Sequence, residues 1–88
     1  MSRTTCWVYR SPGKEGMYLY LRREEAFELL PAPLLQGFGK PELVMQLELH
    51  PGRKLAHEDA LEVLQNLQDR GFHLQLPPDI KPALHHGE

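Results

Sequence analysis

The stretch TTCWVYR, residues Thr4–Arg10, followed by SPGKEG and then MYLYLR, Met17–Arg22, constrains the fold more than any other part of the chain. Both outer runs are rich in β-branched and aromatic residues, and the segment between them is built of turn formers, so the pattern predicts a β-hairpin. Side chains alternate between the two faces of a strand. Cys6 and Val8 therefore oppose Trp7 and Tyr9, while Met17, Leu19 and Leu21 oppose Tyr18 and Tyr20. Every one of these faces is apolar. Such a hairpin is stable only when both of its sides are covered, so it belongs inside a layered structure. With 88 residues the chain makes a single domain, and folding at this size buries about 60–65% of the unfolded surface, enough for one small core. A content of 41% hydrophobic and 25% charged residues excludes wholesale disorder.

Two further strands are legible. ELVMQLEL, Glu42–Leu49, sets Leu43, Met45, Leu47 and Leu49 on one face against Val44, Gln46 and Glu48. GFHLQLPPD, Gly71–Asp79, holds a short strand stopped by two prolines, with Phe72, Leu74 and Leu76 on one face and His73 and Gln75 on the other. The covers are also written in the chain. EDALEVLQNLQDRG places Ala60, Val63, Leu64 and Leu67 at helical spacing, with Leu61 widening the stripe. Glu58, Asp59 and Glu62 favour the start of that helix, Arg70 favours its end, and Gly71 suits the C′ position. A shorter helix is expected over EEAFELL, stopped by Pro31, with PLLQ adding one turn before GFGKP. The expected fold class is α+β: an α/β/α sandwich with one four-stranded, antiparallel-rich sheet. The long helix is expected over the leucine face, and the shorter segments cover only part of the other face, leaving a small cleft there. Residues 1–78 form the expected domain and 79–88 a mobile, proline-containing tail.

Charge and cysteine content narrow the function. The net charge is −2, which argues against a strongly basic nucleic-acid binder. Within residues 1–25, Arg3, Arg10, Lys14, Arg22 and Arg23 stand against Glu15, Glu24 and Glu25, a basic excess of two. The lone Cys6 forms no internal disulfide, which points to a reducing, cytoplasmic setting. No apolar run approaches the roughly 20 residues of a membrane span, and MSRTTCWVY lacks the apolar core of a signal peptide.

No chemical signature dominates. Cys6 sits in an apolar strand, where a thiol acts as a small buried hydrophobe rather than a nucleophile. His50, His57, His73, His85 and His86 stand in no zinc spacing, so neither a metal nor a cofactor is expected. GFGKP precedes a strand, whereas a phosphate loop follows one, so it reads as the turn that closes the helical segment. The acidic residues belong to helix starts and solvated helix faces. The remaining polar and aromatic set, Tyr9, Tyr18 and Tyr20 with Arg10, Arg22 and Gln75, lies on or beside strands. There tyrosine can stack or anchor a partner while arginine and glutamine supply directional hydrogen bonds. The alternative is architectural, with the tyrosines filling the two-sided core, hydroxyls at its rim, and Gln75 tying down the tail.

The segments CWVYRS, MYLYL, GFGKPE and GFHLQLPP, in this order and at these separations, resemble the small bacterial YcgL domain family from Cys6 to Pro78. The resemblance implies an α/β/α sandwich with a small cleft and an unassigned biochemical role. It carries over Tyr9, Arg10 and Ser11, Tyr18 and Tyr20, Phe38, Gly39 and Pro41, and Gly71 with Leu74 to Pro78. His73 departs from it, standing where the resemblance implies a tyrosine, so a role needing a phenol there does not transfer. The candidate cleft is Tyr9, Arg10, Ser11, Tyr18, Tyr20, Gln75 and Pro77. The leading functional expectation is a non-enzymatic binding module for an unknown protein or small ligand. The alternatives are a nucleic-acid-associated factor using the basic hairpin and its tyrosines, and a small enzyme of unknown chemistry in the same cleft.

Overall fold

The computed structural model describes residues 3–55 and 58–77. Strands β1 (Thr4–Arg10) and β2 (Tyr18–Leu21) form the hairpin, in register from Trp7 opposite Leu21 to Arg10 opposite Tyr18. Strand β3 (Glu42–Leu49) pairs antiparallel with β1, and β4 (Phe72–Gln75) pairs antiparallel with β2, giving one four-stranded sheet in the order β3-β1-β2-β4. The hairpin thus occupies the two central positions, as its two apolar faces require. Helix α1 (Ala32–Phe38) precedes β3, and helix α2 (Ala60–Asp69) joins β3 to β4. The chain is a small α+β domain with an antiparallel sheet and two helices.

Helix α2 is stabilised at both ends by the residues that the sequence puts there. Asp59 is the N-cap, and its carboxylate accepts from the Leu61 N–H at 3.2 Å. At the other end Gly71 adopts φ 88°, and its N–H donates to the carbonyls of Leu67 at 2.9 Å and Asn66 at 3.2 Å. Glycine takes this left-handed conformation without the Cβ clash that other residues suffer. Ala60, Val63 and Leu67 are buried along the predicted stripe, whereas Leu61 is 57% exposed.

The segment after β2 departs from expectation. EEAFELL is not an α-helix: Phe27–Leu29 form a 3₁₀ turn, and the helix lies beyond Pro31, over residues expected to add only one turn. Two local causes account for this. Glu25 has φ 59°, a left-handed residue that no helix propagates through. Pro31 is the N-cap of α1 and Pro33 stands in its first turn, where the missing N–H costs no intrahelical bond. Gly39, at φ 88°, ends α1 with its N–H on the Leu35 carbonyl, so GFGKP is the closing turn that the sequence indicates.

Two apolar clusters lie on opposite faces of the sheet. One joins Cys6, Val8, Tyr20, Leu47 and Leu49 to Val63 and Leu67 of α2. The other joins Tyr9, Leu19 and Leu21 to Leu30 and Phe38, with Phe72, Leu74 and Leu76 packed against it. The long helix therefore covers Leu47 and Leu49 of β3, while Leu43 is 53% exposed, and it does not cover the leucines of β4. Register decides this, because Leu74 lies opposite Leu19 and Phe72 opposite Leu21, which commits the β4 leucines to the face away from α2. His73 and Gln75 point beneath α2 and are each 6% exposed. The β3 alternation also breaks: Val8 pairs with Met45 but Tyr9 pairs with Leu43, leaving Val44 as the extra residue of a β-bulge. The expected tail, residues 79–88, lies outside the described residues.

Candidate functional site

The sheet register draws part of the predicted set into a single row. Glu42 of β3 lies opposite Arg10, Arg10 opposite Tyr18, and Tyr18 opposite Gln75, so one line of side chains crosses all four strands on the α2 side. The next row carries Met45, Val8, Tyr20 and His73. Arg10, Tyr18, Tyr20 and Gln75 are thus neighbours on one face. Tyr9, between Val8 and Arg10 on β1, points to the other face and packs with Leu19, Leu21 and Phe38. Ser11 and Pro77 are buried at strand ends.

Most of these groups are already engaged within the fold. The Tyr9 hydroxyl accepts from the Glu25 N–H at 2.9 Å, and its ring meets Phe27 edge-on with centroids 5.0 Å apart. Burial raises the Tyr9 phenol above its ordinary range, opposed by that N–H and assisted by Glu24 and Glu25. Ser11 Oγ donates to the Phe38 carbonyl at 2.6 Å, fastening the hairpin loop to the end of α1. Tyr20 donates its O–H to Gln75 Oε1 at 2.9 Å, and its ring stands edge-on to His73. Burial first, then the nearby Glu58, push the Tyr20 phenol up to about 12. Arg10 remains exposed, with its Nε 2.9 Å from Glu42 Oε1.

Sequence reasoning missed the polar cluster centred on His73. Asn66 Nδ2 of α2 lies 2.9 Å from His73 Nδ1, and Glu58 Oε1 lies 2.7 Å from Nε2. These partners fit the tautomer protonated at Nε2, with the Asn66 amide donating to Nδ1 and Nε2–H donating to the carboxylate. The side chains of His73 and Glu58 are both 6% exposed. One signal for this was present in the chain, since Asn66 flanks the apolar stripe of α2 between Val63 and Leu67. Among the described residues, no buried side-chain nitrogen or oxygen lacks a partner. Cys6 is fully buried, and desolvation pushes its thiol up to about 11 against the lowering effect of Arg53, so it is poorly suited to nucleophilic work.

Set against these engaged groups is an exposed apolar run. Leu43, Val44 and Met45, successive residues of the edge strand β3, are 53%, 47% and 47% exposed. They adjoin the Arg10–Glu42 pair. No helix among the described residues is long and apolar enough to cross a membrane.

The model of the YcgL domain matches residues 6–78. The chain belongs to the YcgL domain family. A YcgL domain-containing protein of Thioalkalivibrio sulfidiphilus is 53% identical over 78 residues, which cover 89% of this chain and 96% of the relative. One from Stutzerimonas stutzeri is 44% identical over 81 residues, covering 92% and 84%. A third, from Pseudomonas aeruginosa, is 47% identical with the same coverage. The family is one of unassigned function, so the reading of this YcgL domain rests on its own geometry.

Proposed function

We propose that the chain is a cytosolic, non-enzymatic interaction module that binds a protein partner along β3, at the side of the Arg10–Tyr18–Gln75 row. In this reading the domain is an α/β/α sandwich, with α2 over one face and the 3₁₀ turn and α1 over the other. The observation that carries it is the exposed run Leu43–Val44–Met45 on an eight-residue edge strand. An outer edge offers unpaired backbone N–H and C=O groups, and an extended segment added there gains ladder hydrogen bonds while its side chains meet the apolar ones. Arg10, on the adjoining strand β1, stands next to this edge as a polar contact, and the partly buried Tyr18 lies one strand further in.

The nucleic-acid alternative draws less support. Arg3, Arg10 and Arg23 each pair with an exposed glutamate, Glu48, Glu42 and Glu28, at 3.2, 2.9 and 3.2 Å. Those pairs offset most of the hairpin's positive charge. The enzyme alternative has no described group held ready for chemistry, because the buried polar side chains serve one another.

The test is capture of a protein from cell extract on the immobilised chain, comparing the wild type with Met45→Lys. A lysine in the middle of an edge disfavours strand addition, and at so exposed a position it should change stability by less than about 0.5 kcal/mol. The expected result is a captured protein that survives nuclease and 0.5 M salt, roughly, and is lost with Met45→Lys. Capture that Met45→Lys leaves intact, or that nuclease or salt abolishes, overturns the reading in favour of another surface or of phosphate contacts.

A further inference from the structure

A second feature lies at the other end of β1, about 20 Å from Arg10 by strand rise. There the described residues Thr4, Arg22, Pro51, Leu64, Leu67 and Gln68 line a recess of about 270 Å³. Its walls come from three elements that the fold holds in place. Leu64, Leu67 and Gln68 project from α2 at spacings of three and four, one patch of a helix surface. Thr4 opens β1, and Pro51 follows the end of β3. Arg22 follows β2, where its own N–H donates to the Gly71 carbonyl at 3.0 Å.

One charged side chain, Arg22, stands at the recess. Among the described residues, Arg3, Arg10 and Arg23 are all in ion pairs, whereas Arg22 makes none. None of the six described lining residues is acidic, and Arg22 is the charged one among them. Arg22 has a planar fork of N–H donors that matches a carboxylate in two-point geometry. Thr4 and Gln68 add a hydroxyl and an amide, while Leu64, Leu67 and Pro51 supply an apolar wall. The volume falls just below the usual range for ligand sites, about 300–1,000 Å³, which suits a compound of a few carbons.

We infer that this recess binds a small amphipathic monocarboxylate, its charged end on Arg22 and its apolar body against Leu64, Leu67 and Pro51. The site is separate from the β3 edge and does not depend on it.

The experiment is a titration of the full-length, ¹⁵N-labelled chain with hexanoate, followed by amide resonances. Acetate, hexanol and inorganic phosphate serve as parallel probes. Hexanoate is expected to give saturable shifts at Thr4, Leu64, Leu67 and Gln68. Arg22→Gln should weaken binding at least about tenfold, equivalent to about 1.4 kcal/mol, and Arg22→Lys should fall between it and the wild type because the charge stays while the fork is lost. Acetate and hexanol, each lacking one half of the recognition, should bind at least about tenfold more weakly. Arg22 is exposed, so both variants should retain the wild-type spectrum outside the recess. The inference is overturned by the absence of saturation with hexanoate, by unchanged affinity in Arg22→Gln, or by phosphate binding as tightly as hexanoate. Met45→Lys should leave hexanoate binding unaltered, which separates this result from the fate of the edge-strand reading.

Discussion

Gln75 shows how one position can look like a recognition group in sequence and serve the interior in structure. It shares a row with Arg10 and Tyr18, but it is 6% exposed and its Oε1 takes the Tyr20 hydroxyl at 2.9 Å. His73, two residues earlier, is held by Asn66 and Glu58. The polarity of this short strand is therefore matched by α2 and β2 rather than by water, and a charge without those partners would be costly to bury there. Removing the amide leaves the Tyr20 hydroxyl without its acceptor, so Gln75→Ala should cost about 1–3 kcal/mol in denaturant unfolding. Tyr20→Phe should cost a comparable amount, and the double variant less than the sum, because the two groups share one bond. A loss below about 0.5 kcal/mol for Gln75→Ala would mean that the pair contributes nothing to the fold.

Among the elements, the junction of α2 with β4 is the most demanding. Gly71 ends the helix at φ 88° while its carbonyl accepts the Arg22 N–H, so a single residue closes α2 and docks it beside β2. A Cβ added at Gly71 would lie 2.6 Å from Leu29 Cδ1, which a rotation of that leucine relieves. The backbone penalty has no such relief. Gly71→Ala should lower stability by about 1–2 kcal/mol, the cost of a left-handed L-residue. Gly13→Ala, where a Cβ meets nothing within 4 Å and φ is not positive, should stay within about 0.5 kcal/mol. Equal effects at the two sites in thermal unfolding would disprove the assignment of Gly71 to the cap. The misread helix near Glu25 has a related origin. Propensity and the following proline favour a helix over EEAFELL, but Glu25 is left-handed there and gives its N–H to the Tyr9 hydroxyl. A tertiary hydrogen bond stands where a helical turn was expected.

For the whole molecule, the two clusters divide the buried weakly acidic groups between them, and their burial sets a limit on alkaline stability. Cys6 is raised from 9.0 to about 11 and Tyr20 from 10.0 to about 12, while Tyr9 is raised as well. Well below pH 9 these groups are protonated in both states, and their neutral forms suit the interior. As pH rises past 9 and then 10, the unfolded chain releases these protons before the folded one does, so stability falls with pH. The thermal midpoint should drop progressively from about pH 9 to 11. In Cys6→Ala the drop should begin about one unit later, when the tyrosines take over. A midpoint that stays level up to pH 11, or an unshifted onset in Cys6→Ala, would contradict the desolvation of these side chains.

Strand alternation, helical spacing and capping residues are local properties, and they were enough to locate the hairpin, the bounds of β3, the apolar stripe of α2 and the roles of Asp59 and Gly71. The two-sided apolarity of Cys6–Tyr9 and Leu19–Leu21 also called for a cover on each side of the hairpin. Which cover lies over which face was decided in the tertiary structure. A period of two sorts Phe72 and Leu74 from His73 and Gln75, but it carries no label for the layer each meets. That label comes from pairing Leu74 with Leu19 and His73 with Tyr20, contacts between residues more than 50 positions apart. The same holds for the candidate sites. Arg10 comes to lie opposite Glu42 on the exposed edge only because β3 pairs with β1 through a bulge at Val44. Arg22 meets Leu64 and Gln68 only because Gly71 turns the chain back beside β2. Local sequence encodes what a side chain is and which way it points, while its partners depend on long-range pairing and close packing of the whole chain.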